Sequence, residues 1–484
     1  MSESAPPPEA VGPLLRGVQV LRALSDAGGR QGIGELARAT RLARSTVDRI
    51  LATLTRMGYA RVEGSEVLLA PRLMELGNAY LASAALPGAV ADRLAGELDE
   101  SVVLAVPDGA VLRVAHRATR RRAMSIAFGL GDPLPADDGG AGLEPGLLML
   151  SAPVRDGAGR QVCAVAVVSR TGRHDADSLR RAAGAELHNA VREMEAALRD
   201  EAPVDDGRDP AGLADWTGAS KQELGAGFVE SLARGLTVVT AFGAGRARLG
   251  LSDVARATGL ARATARRALI TLEHLGLVRS GDGLFALTPA VLALGCPPLS
   301  RTSLPGAAAP YLAELVRRVH DSASMAVLDG DDIRYTARVA TERIMSVTIT
   351  LGTRFPAYAT SMGRVLLADL PEAERELRLR RAQLGALTPR TVTRPVDLAA
   401  VLSEVGREGH ALVDEELEEG LRSLAVPVRD RAGRVVAAVN VAMHSGRRTL
   451  GQCLQEVLPE LRAAAARIEA DLHALGRFGE VPPE

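Results

Sequence analysis

The chain has 484 residues, of which 47% are hydrophobic and 24% are charged, and this composition is typical of a globular protein with several domains. The formal net charge of -1 excludes a generally basic protein, so any binding of nucleic acid requires a local basic face. The sequence contains no apolar run of the roughly 18 residues that span a bilayer, no signal-peptide pattern and no CxxC pair. We therefore expect a cytoplasmic protein that does not enter the membrane and has no disulfide framework.

A segment of the chain occurs twice. Residues 38–58 read RATRLARSTVDRILATLTRMG, and residues 256–276 read RATGLARATARRALITLEHLG. Without gaps, about 23 of roughly 61 positions around these segments are identical, which chance does not produce. The similarity continues further along the chain, where ESVVLAVPDG corresponds to DSASMAVLDG and APVRDGAGRQVCAVAVV corresponds to VPVRDRAGRVVAAVNVA. The duplicated unit therefore consists of a small domain followed by a larger one.

In the small domain, residues 34–40 have helical spacing, residues 41–43 interrupt it, and a second helix is expected at about 44–57. The apolar positions of that helix follow i, i+3, i+4 and i+7, at Val47, Ile50, Leu51 and Leu54. Ser45 or Thr46 can cap its N-terminus through a side-chain oxygen. Two short helices joined by about three residues form a helix-turn-helix, whose second helix enters the major groove of DNA.

The side chains opposite this apolar face are candidates for DNA contact, because packing does not require arginines there. They are Arg44, Ser45, Thr46, Asp48, Arg49 and Thr53 in the first copy, and Arg262, Thr264, Arg266, Arg267 and Thr271 in the second. A short β-hairpin follows each helix, with its turn at Gly64 or at Asp282 and Gly283, as in a winged-helix domain. Arg61 and Arg279, at the base of these wings, are candidates for phosphate contact.

The two larger domains differ in length. About 53 residues of the second copy, from Tyr358 to just before Glu418, align with only the short stretch DDGGAGL in the first. The segment that the first copy lacks includes the sequence TSMGR and the helices expected after it. A Leu-Met pair at 148–149 also stands where the second copy has Arg422 and Ser423. The first larger domain is therefore expected to be truncated.

These observations predict six segments along the chain. They are a disordered tail at 1–15, a winged helix-turn-helix at 16–80, a truncated larger domain at 81–200, a linker rich in Asp, Gly and Pro at 201–226, a second winged helix-turn-helix at 227–298 and an intact larger domain at 299–478. In the intact domain, short strands around the turn at 329–330 and helices at about 311–320 and 454–475 predict a helical layer over one sheet.

The order of winged helix, linking helix from Pro289 onward and α/β domain with TSMGRVLLA and DEELEEGLRSLAVPVRDRAGRVVAAVNVA resembles the IclR family of bacterial transcription regulators. ARATGLARATARRALITLEHLGLV together with YATSMGRVLLA is most similar to its PcaR/PobR branch, whose members control the catabolism of aromatic acids. The resemblance covers nearly all of residues 227–475 and the first copy less fully. It implies an α+β fold in which two winged helix-turn-helix domains are each followed by an IclR-type, GAF-like α/β effector domain, the first of them truncated.

The resemblance also implies where an effector binds, because the TSxGR turn and the strand after it surround a small anion in this family. The implied contacts are the backbone N–H groups of Ser361, Met362 and Gly363 at a helix N-terminus, and the side chains of Asp414, Ser423 and Asn440. Arg364 and Arg422 are either counter-charges for the acid or partners in structural ion pairs, and the sequence leaves both open. The first copy lacks the TSMGR turn and is expected to bind no effector.

Other classes of function have less support in the sequence. The run Asp414-Glu415-Glu416 suggests a metal site or a carboxylate pair, but no catalytic base, nucleophile or ligand set accompanies it, and a solvated segment before a strand is the preferred interpretation. The eight histidines show no HxxxH or HExxH spacing, and no Rossmann or P-loop fingerprint occurs, so neither a metal nor a cofactor is predicted. A ligand-independent interaction scaffold and an enzyme acting on a small acid remain as alternatives.

The expected partners follow from this interpretation. They are double-stranded DNA, a small organic and specifically aromatic acid, and the repeated unit itself, because IclR proteins dimerise through their winged-helix domains. The two copies can form that dimer within one chain, and a dimer of chains is equally compatible with the sequence. No membrane partner is expected.

Overall fold

The structure is a computed structural model that describes residues 5–120, 128–134, 146–200, 223, 225–341 and 349–483. The chain divides into two compact units, Met1–Arg301 and Thr302–Glu484. The first unit holds both winged-helix domains and the truncated larger domain, and the second holds the intact larger domain. Nearly all of the predicted linker at 201–226 lies outside the described residues, as does the DDGGAGL stretch.

The first winged-helix domain has the predicted order of elements. They are α1 (Gly12–Asp26), β1 (Arg30–Gly32), α2 (Ile33–Thr40), α3 (Arg44–Arg56), β2 (Ala60–Glu63) and β3 (Glu66–Leu69). Arg41 is left-handed, with φ 53°, and this reverses the chain so that α2 and α3 pack together. The four apolar residues expected on the inner face of α3 are all buried, and the strands pair in the order β1-β3-β2.

A linking helix and the truncated domain follow in the chain. After a 3-10 turn (Pro71–Leu73), the elements are α4 (Met74–Ala84), α5 (Gly88–Leu98), β4 (Ser101–Asp108), β5 (Val111–Ala118), β6 (Pro133–Leu134), β7 (Leu147–Arg155), β8 (Gln161–Arg170) and α6 (Ala176–Asp200). The strands form an antiparallel sheet in the order β6-β5-β4-β8-β7. The helices α5 and α6 pack together against this sheet.

The second winged-helix domain repeats the first. Its elements are α7 (Glu230–Thr240), β9 (Leu249–Gly250), α8 (Leu251–Thr258), α9 (Arg262–His274), β10 (Val278–Gly281) and β11 (Leu284–Leu287). The wing turns at Asp282 and Gly283, both with positive φ, which matches the right-handed twist of the two strands. The linking helix expected from Pro289 is interrupted: a 3-10 helix (Pro289–Leu294) and the short α10 (Cys296–Leu299) are separated by Gly295, whose φ is 139°.

The two winged-helix domains pack against each other through α1 and α7. A Cβ added to Gly17 of α1 would overlap Leu232 of α7, and a Cβ added to Gly235 of α7 would overlap Leu14 of α1. Gly17 and Gly235 are equivalent positions of the repeat, as are Leu14 and Leu232. Each copy therefore makes the same contact with the other, which is the pattern of a twofold interface.

The N-terminal tail differs from the expectation of disorder over 1–15. Helix α1 already begins at Gly12, Leu14 is fully buried, and the backbone N–H of Val11 donates to Thr271 Oγ1 at 2.9 Å. The partner of this segment is the second winged-helix domain, so its order depends on contacts that the local composition, rich in Pro and Glu, does not reveal.

The second unit is a single sheet with helices on both faces. Its elements are α11 (Leu304–Val319), β12 (Ser322–Asp329), β13 (Asp332–Val339), β14 (Arg354–Pro356), α12 (Ser361–Ala368), α13 (Glu372–Arg381), α14 (Pro395–Glu408), β15 (Ala411–Asp414), β16 (Leu421–Arg429), β17 (Val435–His444), α15 (Leu450–Gln452) and α16 (Leu458–Leu475). The strand order is β14-β13-β12-β17-β16-β15, and every pair is antiparallel. The expected α+β class is confirmed.

Each face of this sheet has its own apolar core. Leu312 of α11 and Leu461 of α16 belong to one core, and Met362 of α12 and Leu402 of α14 belong to the other. The elements α12, α13, α14 and β15 all lie in the segment that the first copy lacks. The deletion therefore removes one helical layer and the edge strand, and it leaves the rest of the sheet in place.

Within the part of the chain that the structure describes, no helix is both long and apolar enough to cross a bilayer. The three cysteines are buried and carry no disulfide. Burial raises the pKa of Cys163 and of Cys296 to about 12, so both thiols stay protonated and pack as small core side chains.

Candidate nucleic-acid interface and ligand pocket

The second helix of each helix-turn-helix presents a polar face at the surface. The predicted positions that are exposed are Arg44, Ser45, Asp48 and Arg49 on α3, and Arg262, Arg266 and Arg267 on α9, with Thr46 and Thr264 half-buried. On α3, Arg44 Nε donates to Asp48 Oδ1 at 3.0 Å. Arg266, which stands where the first copy has Asp48, is 2.8 Å from Glu9 Oε2 of the N-terminal segment. An acid therefore adjoins both faces, supplied by α3 itself in one copy and by the tail in the other.

Thr53 and Thr271, which we expected on the exposed face, are fully buried. Thr53 Oγ1 accepts the N–H of Val229 at 2.8 Å, and Thr271 Oγ1 accepts the N–H of Val11 at 2.9 Å. Val11 and Val229 are equivalent residues just before α1 and α7, so the two bonds are related by the same twofold pattern as the glycine contacts. The DNA-facing assignment of both threonines is wrong, because they connect the two winged-helix domains.

The expected side-chain cap of the second helix is also wrong. The N-cap residue of α3 is Ala43, and no side chain caps this end. Ser45 and Thr46 lie in the first turn of the helix, where they are past the N-cap position from which a hydroxyl reaches the free N–H groups.

The two wing arginines have different surroundings. Arg279 on β10 is exposed, whereas Arg61 on β2 is half-buried. Arg61 Nε and NH1 are buried and have no hydrogen-bond partner among the described residues. A guanidinium with buried, unsatisfied N–H groups is suited to donate hydrogen bonds to an anionic oxygen.

The second unit contains a cavity of about 710 Å³ between the sheet and the N-terminus of α12. Residues that line it include Tyr335, Arg338, Phe355, Thr360, Ser361, Met362, Leu417, Ser423 and Asn440. Ser361, Met362, Ser423 and Asn440 are four of the six residues that the resemblance implied. The volume is that of a small-molecule site, with apolar walls and a few polar groups.

A hydrogen-bond network forms the polar wall of the cavity. Ser361 Oγ bonds to Ser423 Oγ, and Asn440 Nδ2 donates to Ser423 Oγ at 3.1 Å. Asn440 is almost fully buried, and its Oδ1 has no hydrogen-bond partner among the described residues. Because a buried carbonyl oxygen without a donor is unfavourable by about 1–3 kcal/mol, this wall is suited to a ligand that brings a hydroxyl or N–H group.

The N-terminus of α12 offers fewer free N–H groups than expected. Thr360 is the N-cap residue, and its Oγ1 accepts the N–H of Gly363 at 3.1 Å. Only the N–H groups of Ser361 and Met362 are left without an acceptor inside the helix. Gly363 does not line the cavity, and its lack of a side chain has another cause, because a Cβ there would overlap the carbonyl oxygen of Ala357.

Asp414 does not line the cavity either. Its Oδ1 accepts Arg422 Nε at 2.7 Å, and its Oδ2 accepts Arg390 NH1 at 2.8 Å. The pairing of β15 with β16 places Asp414 directly opposite Arg422, which is buried. The structure therefore assigns Asp414 and Arg422 to a structural ion pair at the edge of the sheet, which decides between the two alternatives for this arginine.

Arg364 also belongs to a structural ion pair. Its NH1 and NH2 contact Glu416 Oε1 and Oε2 at 2.8 and 2.5 Å, and its Nε donates to the carbonyl of Tyr358 at 2.9 Å. Glu415 Oε2 lies 3.2 Å from Arg390 NH2. All three acids of the run Asp414-Glu415-Glu416 are thus ion-paired and only partly exposed, so the interpretation as a solvated segment is wrong.

Arg338 on β13, which no pattern in the sequence indicates as a ligand contact, also lines the cavity. Arg338 lies opposite Ser324 on β12, and Ser324 lies opposite Asn440 on β17, so the three form a row across one face of the sheet. Arg338 NH1 is 3.4 Å from Ser324 Oγ, and burial lowers the pKa of this guanidinium from its usual value. At neutral pH Arg338 remains a partly desolvated cation, which is a good partner for a carboxylate.

A β-bulge explains why Arg338 was missed. Tyr335 and Arg338 both line the cavity, although strict alternation places residues three apart on opposite faces. The register between β12 and β13 shifts between Met325 and Ala326, and this shift inserts an extra residue between the two side chains. A bulge of this kind leaves no clear mark in the sequence.

The truncated domain has the same row without its polar groups. Arg117 lies opposite Val103, and Val103 lies opposite Ala166, in the positions that Arg338, Ser324 and Asn440 occupy in the second unit. The counterpart of Ser423 is Met149. Only the arginine is common to the two rows.

Comparison with known proteins gives a consistent result. The IclR helix-turn-helix domain matches residues 13–64 and again residues 231–282, and the C-terminal domain of the bacterial transcriptional regulator IclR matches residues 296–470. The Pca regulon regulatory protein of Pseudomonas putida is 46% identical over 239 residues, which make up 49% of this chain and 82% of the relative. The p-hydroxybenzoate hydroxylase transcriptional activator of Acinetobacter baylyi is 34% identical over 243 residues, or 49% of this chain and 90% of the relative.

A solved structure agrees. A transcriptional regulator from Rhodococcus sp. RHA1 shares 50% sequence identity, with a TM-score of 0.50, and the match covers 52% of this chain and 100% of that chain. These relatives are regulators and not enzymes, and one of their chains corresponds to about half of this one. The chain therefore belongs to the IclR family of bacterial transcriptional regulators, and it carries the DNA-binding domain of that family twice.

Proposed function

We propose that this regulator binds a single operator through both winged helices and that its DNA affinity is controlled by a hydroxylated aromatic acid bound in the second unit. The observation that carries the ligand assignment is the cavity beside the row Arg338, Ser324 and Asn440. It combines a cation, a buried acceptor without a donor among the described residues, and apolar walls with room for an aromatic ring. The proposal places the regulator in the cytoplasm, where its DNA is.

Each part of such a ligand has a matching group. The carboxylate pairs with Arg338 or accepts the N–H groups of Ser361 and Met362, and the phenolic hydroxyl donates to Asn440 Oδ1. Tyr335 and Phe355, whose ring centroids are 5.9 Å apart in an edge-to-face arrangement, provide aromatic surface for the ring. Arg338 and Asn440 are two strands apart, so their backbones are separated by about 10 Å. An aromatic ring with its two polar groups at opposite positions can contact both side chains across this distance.

The names of two relatives support this ligand class. One activates the gene for p-hydroxybenzoate hydroxylase, and the other regulates the Pca regulon. We choose 4-hydroxybenzoate as the first probe because it has both groups that the cavity requires.

For DNA, we propose that the exposed residues of α3 and α9 read one half-site each. The winged-helix domains are related by reciprocal contacts, so their recognition helices match an operator with two related halves. The proposed contacts are Arg44, Ser45, Thr46, Asp48, Arg49 and Arg61 in the first copy, and Arg262, Thr264, Arg266, Arg267 and Arg279 in the second. In this arrangement the intramolecular pair takes the place of the family's dimer, and a dimer of chains adds a second pair.

The ligand half of the proposal is tested by calorimetric titration of the full chain with 4-hydroxybenzoate, benzoate and 4-hydroxybenzyl alcohol. We expect 4-hydroxybenzoate to bind most tightly, with the two partial analogues weaker by about 1–2 kcal/mol each, or roughly 5- to 30-fold. In Asn440→Ala the preference for 4-hydroxybenzoate over benzoate should disappear. In Asn189→Ala, an exposed asparagine on α6, it should persist. Equal affinities for all three compounds in the native chain would contradict the proposed polar contacts.

The DNA half is tested by fluorescence anisotropy with the promoter region upstream of the chain's own gene. We expect saturable binding that weakens steeply with salt, because several phosphates are neutralised. Addition of 4-hydroxybenzoate should change the Kd for this DNA, since a ligand acts only when it binds two arrangements with different affinity. Binding with no salt dependence would contradict the proposed interface.

A further inference from the structure

We propose that the truncated domain holds the chain's own junction segment, residues 292–301, in the place where the intact domain holds its ligand. The junction segment ends the first unit, and the chain continues from Arg301 directly into the second unit at Thr302. We call the truncated domain a clamp, because it restrains the segment through which a conformational change in the second unit would reach the winged-helix domains.

The first observation is the bonding of Arg117, the counterpart of the cavity residue Arg338. Arg117 NH2 donates to the carbonyl oxygen of Ser300 at 3.0 Å, and its NH1 donates to the carbonyl of Phe128 at 3.1 Å. The Ser300 carbonyl thus receives from Arg117 the kind of bond that a ligand oxygen receives from a guanidinium. The arginine that both rows share bonds to the junction segment in one domain and lines a cavity in the other.

The second observation is the replacement of the polar groups next to this arginine. Val103 and Ala166 stand where the intact domain has Ser324 and Asn440, and both are buried. Strand β4, which carries Val103, contacts the 3-10 helix Pro289–Leu294 of the junction region. This face of the sheet lost its helical layer with the deletion. The apolar residues Val103 and Ala166 suit a surface that is covered by another part of the protein.

The third observation is the loop at residues 128–134, which fits tightly onto the junction segment. A Cβ at Gly129 would come within 2.6 Å of Ser300 Oγ, and a Cβ at Gly131 within 2.9 Å of the Leu292 carbonyl. Asp132 Oδ2 accepts the N–H of Gly129 at 2.7 Å and also Arg301 NH2 at 2.7 Å. The loop therefore contacts both ends of the junction segment, at Leu292 and at Ser300 and Arg301.

The matching loop of the intact domain provides a control within the same chain. Leu130 of the truncated domain is 1% exposed, whereas its counterpart Leu351 is 66% exposed. Gly131 and Asp132 correspond to Gly352 and Thr353, so the acid that pairs with Arg301 is present only in the truncated domain. The gripping contacts belong to the first copy and are not a general feature of this fold.

The grip itself is tested by hydrogen exchange, which does not depend on any ligand. In Arg117→Ala and in the nearly isosteric Asp132→Asn, we expect the amides of residues 292–301 to exchange about tenfold faster than in the native chain. Arg160→Ala is the matched control, because Arg160 pairs with Asp156 on the surface of the same domain, and its exchange pattern should be unchanged. Unchanged protection of residues 292–301 in both Arg117→Ala and Asp132→Asn would overturn the clamp.

The role in transmission rests on the proposed function and is tested with 4-hydroxybenzoate. The measured quantity is the ratio of DNA Kd values with and without this acid. We expect Arg117→Ala and Asp132→Asn to lower that ratio at least fivefold toward one, while the affinity for 4-hydroxybenzoate stays within about twofold of native. A native ratio in both variants would overturn the transmission role. Absence of 4-hydroxybenzoate binding in the native chain would instead contradict the proposed function, and the exchange result would still decide the clamp.

Discussion

At the interface between the two winged-helix domains, equivalent positions make the same contacts, whereas equivalent positions of the polar rows in the two larger domains do not. Gly17 meets Leu232 as Gly235 meets Leu14, and the buried threonines of α3 and α9 accept reciprocal N–H bonds. In the larger domains, the shared arginine bonds to a protein carbonyl in one copy and lines a cavity in the other. A twofold interface needs both halves to match, because each residue serves both sides. The cavity with its polar row is complete in one copy, so the other copy is free to change.

The largest expected effect is on ligand affinity, when residues of the truncated domain replace their counterparts in the intact domain. The triple variant Ser324→Val, Ser423→Met and Asn440→Ala removes the polar wall and partly fills the cavity. We expect the affinity for 4-hydroxybenzoate to fall by more than about 100-fold, roughly 3 kcal/mol, as measured by calorimetry. The stability of the second unit should change less, because the new side chains extend into the cavity, where there is room for them.

The reverse exchange is the control for that experiment. Val103→Ser, Met149→Ser and Ala166→Asn restore the row in the truncated domain, but the helix α12 that closes the cavity has no counterpart among its described elements. We expect this variant to bind one equivalent of 4-hydroxybenzoate per chain, the same number that we expect for the native chain. A second equivalent would show that the row alone makes the site, and that the deletion is not what separates the two domains.

The next largest effect concerns the reciprocal interface between the two winged-helix domains. Gly17→Ala and Gly235→Ala each force a Cβ into a leucine of the other copy, so each should lower the free energy of unfolding by about 1–3 kcal/mol and weaken DNA binding. Thermal unfolding measures the first quantity, and anisotropy measures the second. Gly184→Ala on α6, where an added Cβ meets nothing within 4 Å, should instead stabilise by up to about 1 kcal/mol. Clearly unequal effects of the two interface variants would contradict the reciprocal packing.

The two recognition helices, α3 and α9, are expected to contribute similar amounts to the free energy of operator binding. The double variants Arg44→Ala with Arg49→Ala, and Arg262→Ala with Arg267→Ala, should each weaken operator binding by about 1–3 kcal/mol. Each pair should also reduce the salt slope by about 2, since two phosphate or base contacts are lost. Arg160→Ala with Arg180→Ala on the truncated domain is the charge-matched control and should leave both values unchanged. If only one double variant weakens binding, the two halves of the operator are not read in the same way.

Local patterns in the sequence predict the elements better than they predict their partners. The apolar period of α3 and the wing turns depend on residues close in the chain, and the structure agrees with both. The deletion is visible because the two copies can be aligned. Thr53 is seven residues after Thr46 and so shares its polar face, and only the packing of the second copy buries it. Arg338 lines the cavity and Asp414 does not. A β-bulge in one case and a cross-strand pairing in the other, both set by tertiary structure, decide where these side chains point.

The smallest expected effect concerns the acid next to each recognition helix. Glu9 Oε2 lies 2.8 Å from Arg266 NH1, and both side chains are about half exposed, so solvent reduces the pair to less than about 1 kcal/mol. In the proposed DNA complex Arg266 exchanges this partner for a phosphate, and Glu9→Gln removes the competition. We expect operator affinity to rise about twofold at low salt and to match the native chain at high salt, where screening has already weakened the pair. Glu97→Gln, which removes an exposed acid paired with Arg93 on α5, should show no such salt-dependent gain. An unchanged affinity for Glu9→Gln at low salt would mean that Arg266 does not contact DNA, and that the tail and Asp48 are not equivalent features of the two copies.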